Sequence, residues 1–235
     1  MTTIADKLQS VHQRIAAACA LAHRDVNEVT LLAVSKTFGP QAVREAFAAG
    51  QLAFGENYIQ EAVEKIALLR ELPLQWHCIG PIQSNKTRLV ATQFDWAHTV
   101  DRLKTAQRLS QQRPEGMAPL QICIQVNIDG GPTKSGVPPG EVLPLAREIA
   151  RLPRLALRGL MTIPEPAPDF AAQKAVHLRA RELFESLRAA GLALDTLSMG
   201  MTADLEAAVA AGSTMVRIGT AIFGERFKSP APPGE

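Results

Sequence analysis

The chain has 235 residues, 46% of them hydrophobic, and its 25 basic and 23 acidic residues leave a formal net charge of +2. That is enough apolar material for one large α/β domain, and the near-balance of charge, with no basic block, argues against nucleic acid as a main partner. Three isolated cysteines, Cys19, Cys78 and Cys123, give neither a disulfide framework nor a metal signature, and with no leader-like start and no membrane-length apolar run the expectation is a soluble, cytoplasmic protein.

Thr3 to Leu21 places Ile4, Leu8, Val11, Ile15 and Ala18 at three- and four-residue steps, the pattern of an amphipathic helix. His12 and His23 fall on its surface or at its exit. Leu31-Leu32-Ala33-Val34-Ser35-Lys36 is a continuous apolar run, read as a buried strand, that ends on a lysine. Two readings of Lys36 stand: an ammonium that caps a strand in water, or a desolvated amine able to form a Schiff base with an aldehyde. Pro40, Val43, Phe47 and Gly50 then mark a helix with its usual punctuation.

The strand–loop–helix unit recurs. Further strands are expected at Gln51 to Phe54, Leu74 to Ile79, Phe94 to Val100, Leu120 to Ile128, Leu155 to Ile163, Leu194 to Met199 and Thr214 to Ile218. Between them come helices through Val63, Ile66 and Leu69, then from Ser84 to Thr92, Asp101 to Gln112 and Glu141 to Leu152, a long one ending at Gly191, and a short one from Ala203 to Ala211. Eight such units in this length predict a single (β/α)8 TIM barrel preceded by an extra helix, with a doubly wound open sheet as the alternative. The barrel domain is expected over residues 1–227 and a disordered tail over residues 228–235, where prolines and polar residues dominate.

In a barrel, functional groups gather where strands end. Lys36 falls there on the first strand and Asn57 on the second, with His77 inside the third and Met161 near the end of the sixth. Ser198-Met199-Gly200-Met201-Thr202 opens into a helix with Asp204 in its first turn, and Arg217-Ile218-Gly219-Thr220 ends the eighth strand. Glycines let backbone approach a ligand, hydroxyls donate, and helix-start N–H groups attract anions. The two loops therefore read either as a phosphate cup where barrels favour one, or as two ordinary turns. Closure would bring Lys36 and Arg217 to one mouth, and a phosphorylated aldehyde such as pyridoxal 5′-phosphate (PLP) suits that set.

Ala33-Val34-Ser35-Lys36, Phe54-Gly55-Glu56-Asn57-Tyr58, Trp76 through Lys86, Arg158-Gly159-Leu160-Met161, Ser198-Met199-Gly200-Met201 and Val216 through Gly224 resemble, in order and spacing, the motifs of the pyridoxal phosphate homeostasis protein family. That family is similar to the N-terminal domain of alanine racemase, and the resemblance runs from the first strand to about Phe223. It implies that Lys36 carries PLP as a Schiff base, that Arg217 lies against the pyridine ring, and that Asn57 lies close to it. It further implies that Ser198, Gly200, Met201, Thr202, Gly219 and Thr220 surround the phosphate. Thr202 stands where serine is expected, and the hydroxyl is kept.

The same resemblance points to a carrier with no catalytic residue and no metal. An arginine beside the pyridine nitrogen disfavours its protonation and weakens the ring as an electron sink. Racemisation needs an acid or base on each face of the substrate carbon; alanine racemases supply a tyrosine from a β-rich second domain, and none is expected here, where the chain ends soon after the eighth strand. The one tyrosine, Tyr58, reads as a structural or ligand-edge group, and His77 and His98 as weak acid–base candidates. The expectation is a monomer that binds, buffers and delivers PLP, with PLP-dependent apoenzymes as recipients. A small PLP-dependent racemase and a Schiff-base aldolase are the alternatives. Lys86, Lys134 and the Gly130 to Gly136 loop stay divided between ligand access or transient aldehyde binding and plain surface.

Overall fold

The computed structural model describes residues 2–131 and 135–224. Its strands β1 (Thr30–Val34), β2 (Ala53–Glu56), β3 (Gln75–Cys78), β4 (Trp96–Val100), β5 (Leu120–Val126), β6 (Leu155–Thr162), β7 (Thr196–Ser198) and β8 (Met215–Ile218) are parallel, pair in chain order and close. Closure is carried by β8 against β1, where Leu32 faces Arg217 and Ala33 faces Ile218. A doubly wound sheet would leave two open edges, so this pairing sets that alternative aside.

The strands read as continuous apolar runs because both of their faces are covered. Outside lie α1 (Ile4–Leu21), α2 (Pro40–Ala48), α3 (Ile59–Leu68), α4 (Thr87–Gln93), α5 (Leu103–Gln112), α6 (Val142–Ile149), α7 (Phe170–Ala189), α8 (Leu205–Ala210) and the single turn α9 (Thr220–Phe223). The main apolar layer, with Ala33, Phe54, Ile122, Val216 and the buried stripe of α1, lies between strands and helices. Strand alternation turns the intervening residues inward. There Leu32, Val34, Ala53, Ile79 and Met215 form one small cluster and Trp96, Cys123 and Met161 another, beside the fully buried His77, His98 and Ser198.

Local chemistry sets the ends. A capping box closes the start of α1, Thr3 Oγ1 accepting the Asp6 N–H and the Asp6 carboxylate accepting the Thr3 N–H. Pro40 opens α2 in its first turn. The helix α1 then packs across α2, α8 and α9, over the seam where the barrel closes.

Three expectations need correction. β1 stops at Val34, so Lys36 stands in the turn beyond it. β2 runs two residues later than expected, through Gly55 and Glu56, and Asn57 follows it. A Gly-Glu pair has the composition of a turn, but a side chain at Gly55 would press on Leu32 and Ile79, and Glu56 finds a buried counter-charge. Finally, α3 buries Ile59, Ala62 and Lys65, while Val63 and Ile66 are only half-buried. The three cysteines are buried and free. Among the described residues no helix is long and apolar enough to cross a membrane. The expected tail from Lys228, the domain end at 227 and Lys134 lie outside the described residues.

Candidate functional site

The carboxyl ends of β1, β2, β7 and β8 form one side of the barrel mouth. Lys36 is held there through its neighbours. Ser35 Oγ donates to Glu56 Oε1 (2.6 Å), and Lys65 Nζ donates to the same oxygen (2.7 Å) and to the Ser35 carbonyl (3.0 Å). Glu61 Oε1 accepts the Thr37 N–H (3.0 Å), and Thr37 itself takes a left-handed φ of 67°. Backbone on both sides of Lys36 is therefore anchored, at Ser35 to the buried Lys65–Glu56 ion pair, whose side chains are 3% and 0% exposed, and at Thr37 to Glu61. Burial raises the Glu56 carboxyl above its ordinary range, against the pull of the Lys65 ammonium and the Ser35 hydroxyl.

Asn57 is fixed by close backbone packing: a Cβ at Gly80 would collide with the Asn57 carbonyl, so the β3 exit can pass there only as glycine. The Asn57 Oδ1 is buried and, among the described residues, has no hydrogen-bond partner. A buried acceptor left in that state is destabilising unless a ligand or water meets it.

Arg217, on the inner face of β8, is 4% exposed. Its Nη1 donates to Ser198 Oγ and its Nη2 to the Thr162 carbonyl, both at 2.8 Å, and among the described residues no carboxylate forms an ion pair with it. Burial pulls its pKa down to about 10, opposed by Asp204 and Cys123, so the guanidinium stays charged at neutral pH. Behind it the polar contacts continue: Ser198 Oγ to His98 Nδ1 (3.1 Å), His98 Nε2 to His77 Nδ1 (2.9 Å), and His77 Nε2 to Gln75 Oε1 (3.0 Å). Burial drives His77 down to about 3, and burial, His77 and Arg217 together hold His98 well below the ordinary histidine range.

The two loops expected to form a cup are stitched together by the Arg217 N–H, which donates to the Gly200 carbonyl (3.0 Å). Gly200 has φ +94°, and a side chain there would strike Ala208. Asp204 accepts the Met201 N–H on Oδ1 (2.7 Å) and meets His177 Nε2 on Oδ2 (2.9 Å). Burial alone would raise the Asp204 carboxyl, but these two hydrogen bonds and the charge of Arg217 hold it low. From outside, Arg14 of α1 donates to the Thr202 carbonyl (3.0 Å) and pairs with Glu206 (2.9 Å).

These parts enclose a cavity of about 310 Å³. Of the residues expected from sequence, Lys36, Asn57, Met201, Thr202, Arg217, Gly219 and Thr220 line it, with Val34, Phe38, Ile79 and Ile163 as apolar wall. Ser198 and Gly200 do not: Ser198 lies behind Arg217, and Gly200 shapes the turn. Met161 packs in the barrel interior, and Tyr58 is half exposed at the start of α3. A neighbouring cavity of about 420 Å³ shares Asn57, Ile79 and Ile163 and adds Asp101, Arg102 and Gln125. Sequence reading missed the Glu56–Lys65 pair, the Arg14 clamp and the Gln75–His77–His98 chain. The last left a signal, polar residues at alternate positions of strands otherwise apolar.

The sequence matches the family model for the N-terminal domain of alanine racemase over residues 7–227. It is 57% identical over 232 residues to the pyridoxal phosphate homeostasis protein of Pseudomonas aeruginosa, covering 98% of this chain and 100% of that one. To the protein of the same name from Vibrio cholerae it is 53% identical over 230 residues, covering 96% and 98%. Among solved structures, PipY of Synechococcus elongatus with PLP bound superposes with a TM-score of 0.82 at 38% identity, covering 94% of this chain and all of that one.

Proposed function

We propose that this chain, which belongs to the pyridoxal phosphate homeostasis protein family, binds PLP in the cavity shared by Lys36 and Arg217 and holds it in reserve for PLP-dependent apoenzymes. The residues fit the group. The cavity offers an amine, an apolar wall for a planar ring, two threonine hydroxyls for phosphate oxygens and, at Asn57 Oδ1, an acceptor without a partner. Bound there, PLP supplies an aldehyde that bonds reversibly to an amine and a ring that draws electrons.

Lys36 provides the amine, on a backbone that the Glu56–Lys65 pair keeps from drifting. Thr202, Gly219 and Thr220 bind the phosphate, and Asn57 meets the ring edge. Arg217 donates to the pyridine nitrogen. A guanidinium has only donors and stays charged, so it leaves that nitrogen unprotonated. The ring then draws electrons weakly, which suits storage better than turnover. The lining supports the same reading: among the described residues its ionisable groups are Lys36 and Arg217. Tyr58 does not line the cavity, and His77 and His98 are engaged behind Arg217. Among the described residues that line the cavity, none stands opposite Lys36 as the second proton-transfer group that racemisation requires.

The observation that carries this proposal is the meeting in one cavity of Lys36, in the turn just beyond β1, and Arg217, on β8, the strand that closes the barrel against β1. The test is a visible absorbance spectrum of protein incubated with PLP, followed by borohydride reduction and peptide mapping, with Lys36→Ala alongside. A yellow band lost in the variant, and label fixed on the Lys36 peptide, is the expected result. A protein that stays colourless and traps no PLP overturns the reading and brings the aldolase alternative forward.

A further inference from the structure

Gln75 is exposed at the start of β3, and from it a line of hydrogen bonds passes through His77, His98 and Ser198 to Arg217 at the cavity. Four strands contribute to it, β3, β4, β7 and β8, and His77, His98 and Ser198 are each 0% exposed. Its direction follows from one end. A guanidinium has no acceptor, so Ser198 Oγ must accept from Arg217. Among the described residues the hydroxyl's other partner is His98 Nδ1, which therefore accepts a hydrogen bond from the serine O–H. His98 then carries its own proton on Nε2 and donates to His77 Nδ1; His77 carries its proton on Nε2 and donates to Gln75 Oε1. Each link is consistent with the next, and both rings are neutral.

We propose that His77 and His98 are positioning residues for Arg217: with Ser198 and Gln75 they form a one-way hydrogen-bond relay that fixes the plane of the guanidinium against the ligand and supplies the acceptor side of its environment. Every donor in the relay points away from Arg217, so every dipole presents its negative end to a buried charge that, among the described residues, has no carboxylate paired to it. Aligned hydrogen bonds strengthen one another in a low-dielectric interior, and a buried cation without such compensation is strongly unfavourable. Two further contacts keep the relay from swinging: His77 stacks on Trp96 with ring centroids 5.1 Å apart and planes 9° from parallel, and Arg217 Nη2 is tied to the Thr162 carbonyl. The relay touches neither Lys36 nor the phosphate loops' hydroxyls, so its effect on a ligand passes through Arg217 alone.

The identity of the ligand rests on the function proposed above; the relay itself does not. The first arm therefore uses full-length protein without PLP, labelled with ¹⁵N at histidine. Imidazole nitrogen shifts should show both His77 and His98 as the neutral Nε2–H tautomer at pH 7. An Nδ1–H tautomer or a doubly protonated ring at either position reverses or breaks the relay and overturns the proposal. The second arm adds PLP. His98→Leu, which fills the space without the links, should weaken PLP binding about tenfold, the effect of roughly one lost hydrogen bond, and shift the visible band and its pH dependence. His98→Gln, whose amide can still accept from Ser198 and donate to His77, should restore both. If His98→Leu does not fold, Ser198→Ala gives the same readouts. A variant with wild-type affinity and spectrum overturns the positioning role. Expected tautomers in a wild-type protein that binds no PLP would leave the relay standing and remove the function proposed for the cavity.

Discussion

The two basic residues that line the cavity, Lys36 in the turn after β1 and Arg217 on β8, are held by opposite means. Beneath Lys36 lies a charged network, Glu56, Lys65 and Glu61, that grips backbone at Ser35 and Thr37 and spans only β1, β2 and α3. Behind Arg217 lies an uncharged one that grips a side chain and spans β3, β4, β7 and β8. Lys36 is thus fixed at its root, while Arg217 is fixed at its tip. A network built on charge fails when one member is removed; a network built on neutral dipoles weakens link by link.

The largest expected effect tests that contrast on the charged side. Lys65→Met strands Glu56 as a buried carboxylate and should destabilise the protein by about 3–5 kcal/mol in urea unfolding, with much of the loss recovered in Lys65→Met/Glu56→Gln. A variant within about 1 kcal/mol of wild type would mean the pair is solvated and the contrast is lost.

Next is pH. Unfolded, each relay histidine binds a proton near 6.5; folded, His77 does so only near 3 and His98 well below 6.5. The unfolded state takes up more protons as pH falls, so stability is full above about 6.5 and drops below it by up to about 1.4 kcal/mol per pH unit for each histidine. Glu56 acts with the opposite sign: its folded pKa is raised above 4.5, so its contribution is full below 4.5 and is lost as pH rises through the folded value. Urea midpoints across this range should fall less steeply in His77→Gln, and the slope should not change if the histidines are solvated.

Single links come last. Ser198→Ala leaves an Arg217 donor and His98 Nδ1 unpaired, and a loss of about 1–3 kcal/mol is expected in the same assay. Gln75→Ala, at the exposed end where water replaces the acceptor, should lose less than about 1 kcal/mol. Equal losses at the two ends would sink the picture of a relay that matters most near the cation.

The same contrast explains what could be read from the chain. The order of strands and helices was legible because short apolar runs, with Pro40 and Gly50 as punctuation, carry their own signal. That Lys36, Asn57, Thr202, Arg217 and Thr220 meet in one cavity was legible because they fall at strand ends, and a closed barrel gathers its strand ends at one mouth. Lys65 was not. Hydropathy puts a lysine on the wet face of a helix, and only the approach of Glu56 from another element explains why α3 rolls to bury it and leaves Val63 and Ile66 half-buried. His77 and His98 were seen as isolated rings, since their partnership exists only once four strands have closed. The resemblance implied Ser198 beside the phosphate; what the chain alone could not show is that strand alternation turns its hydroxyl inward to Arg217 and His98.

The clamp from Arg14 to the Thr202 carbonyl makes an outer helix a thermodynamic party to whatever the cavity holds. Linkage between two sites is reciprocal. A ligand that tightens the Thr202 turn must, by the same free energy, tighten the docking of α1, and slower amide exchange along that helix would report occupancy from outside the barrel. A partner protein that pulled α1 away would loosen the turn by an equal amount. Release could then be commanded from the surface, with no contact to the ligand itself.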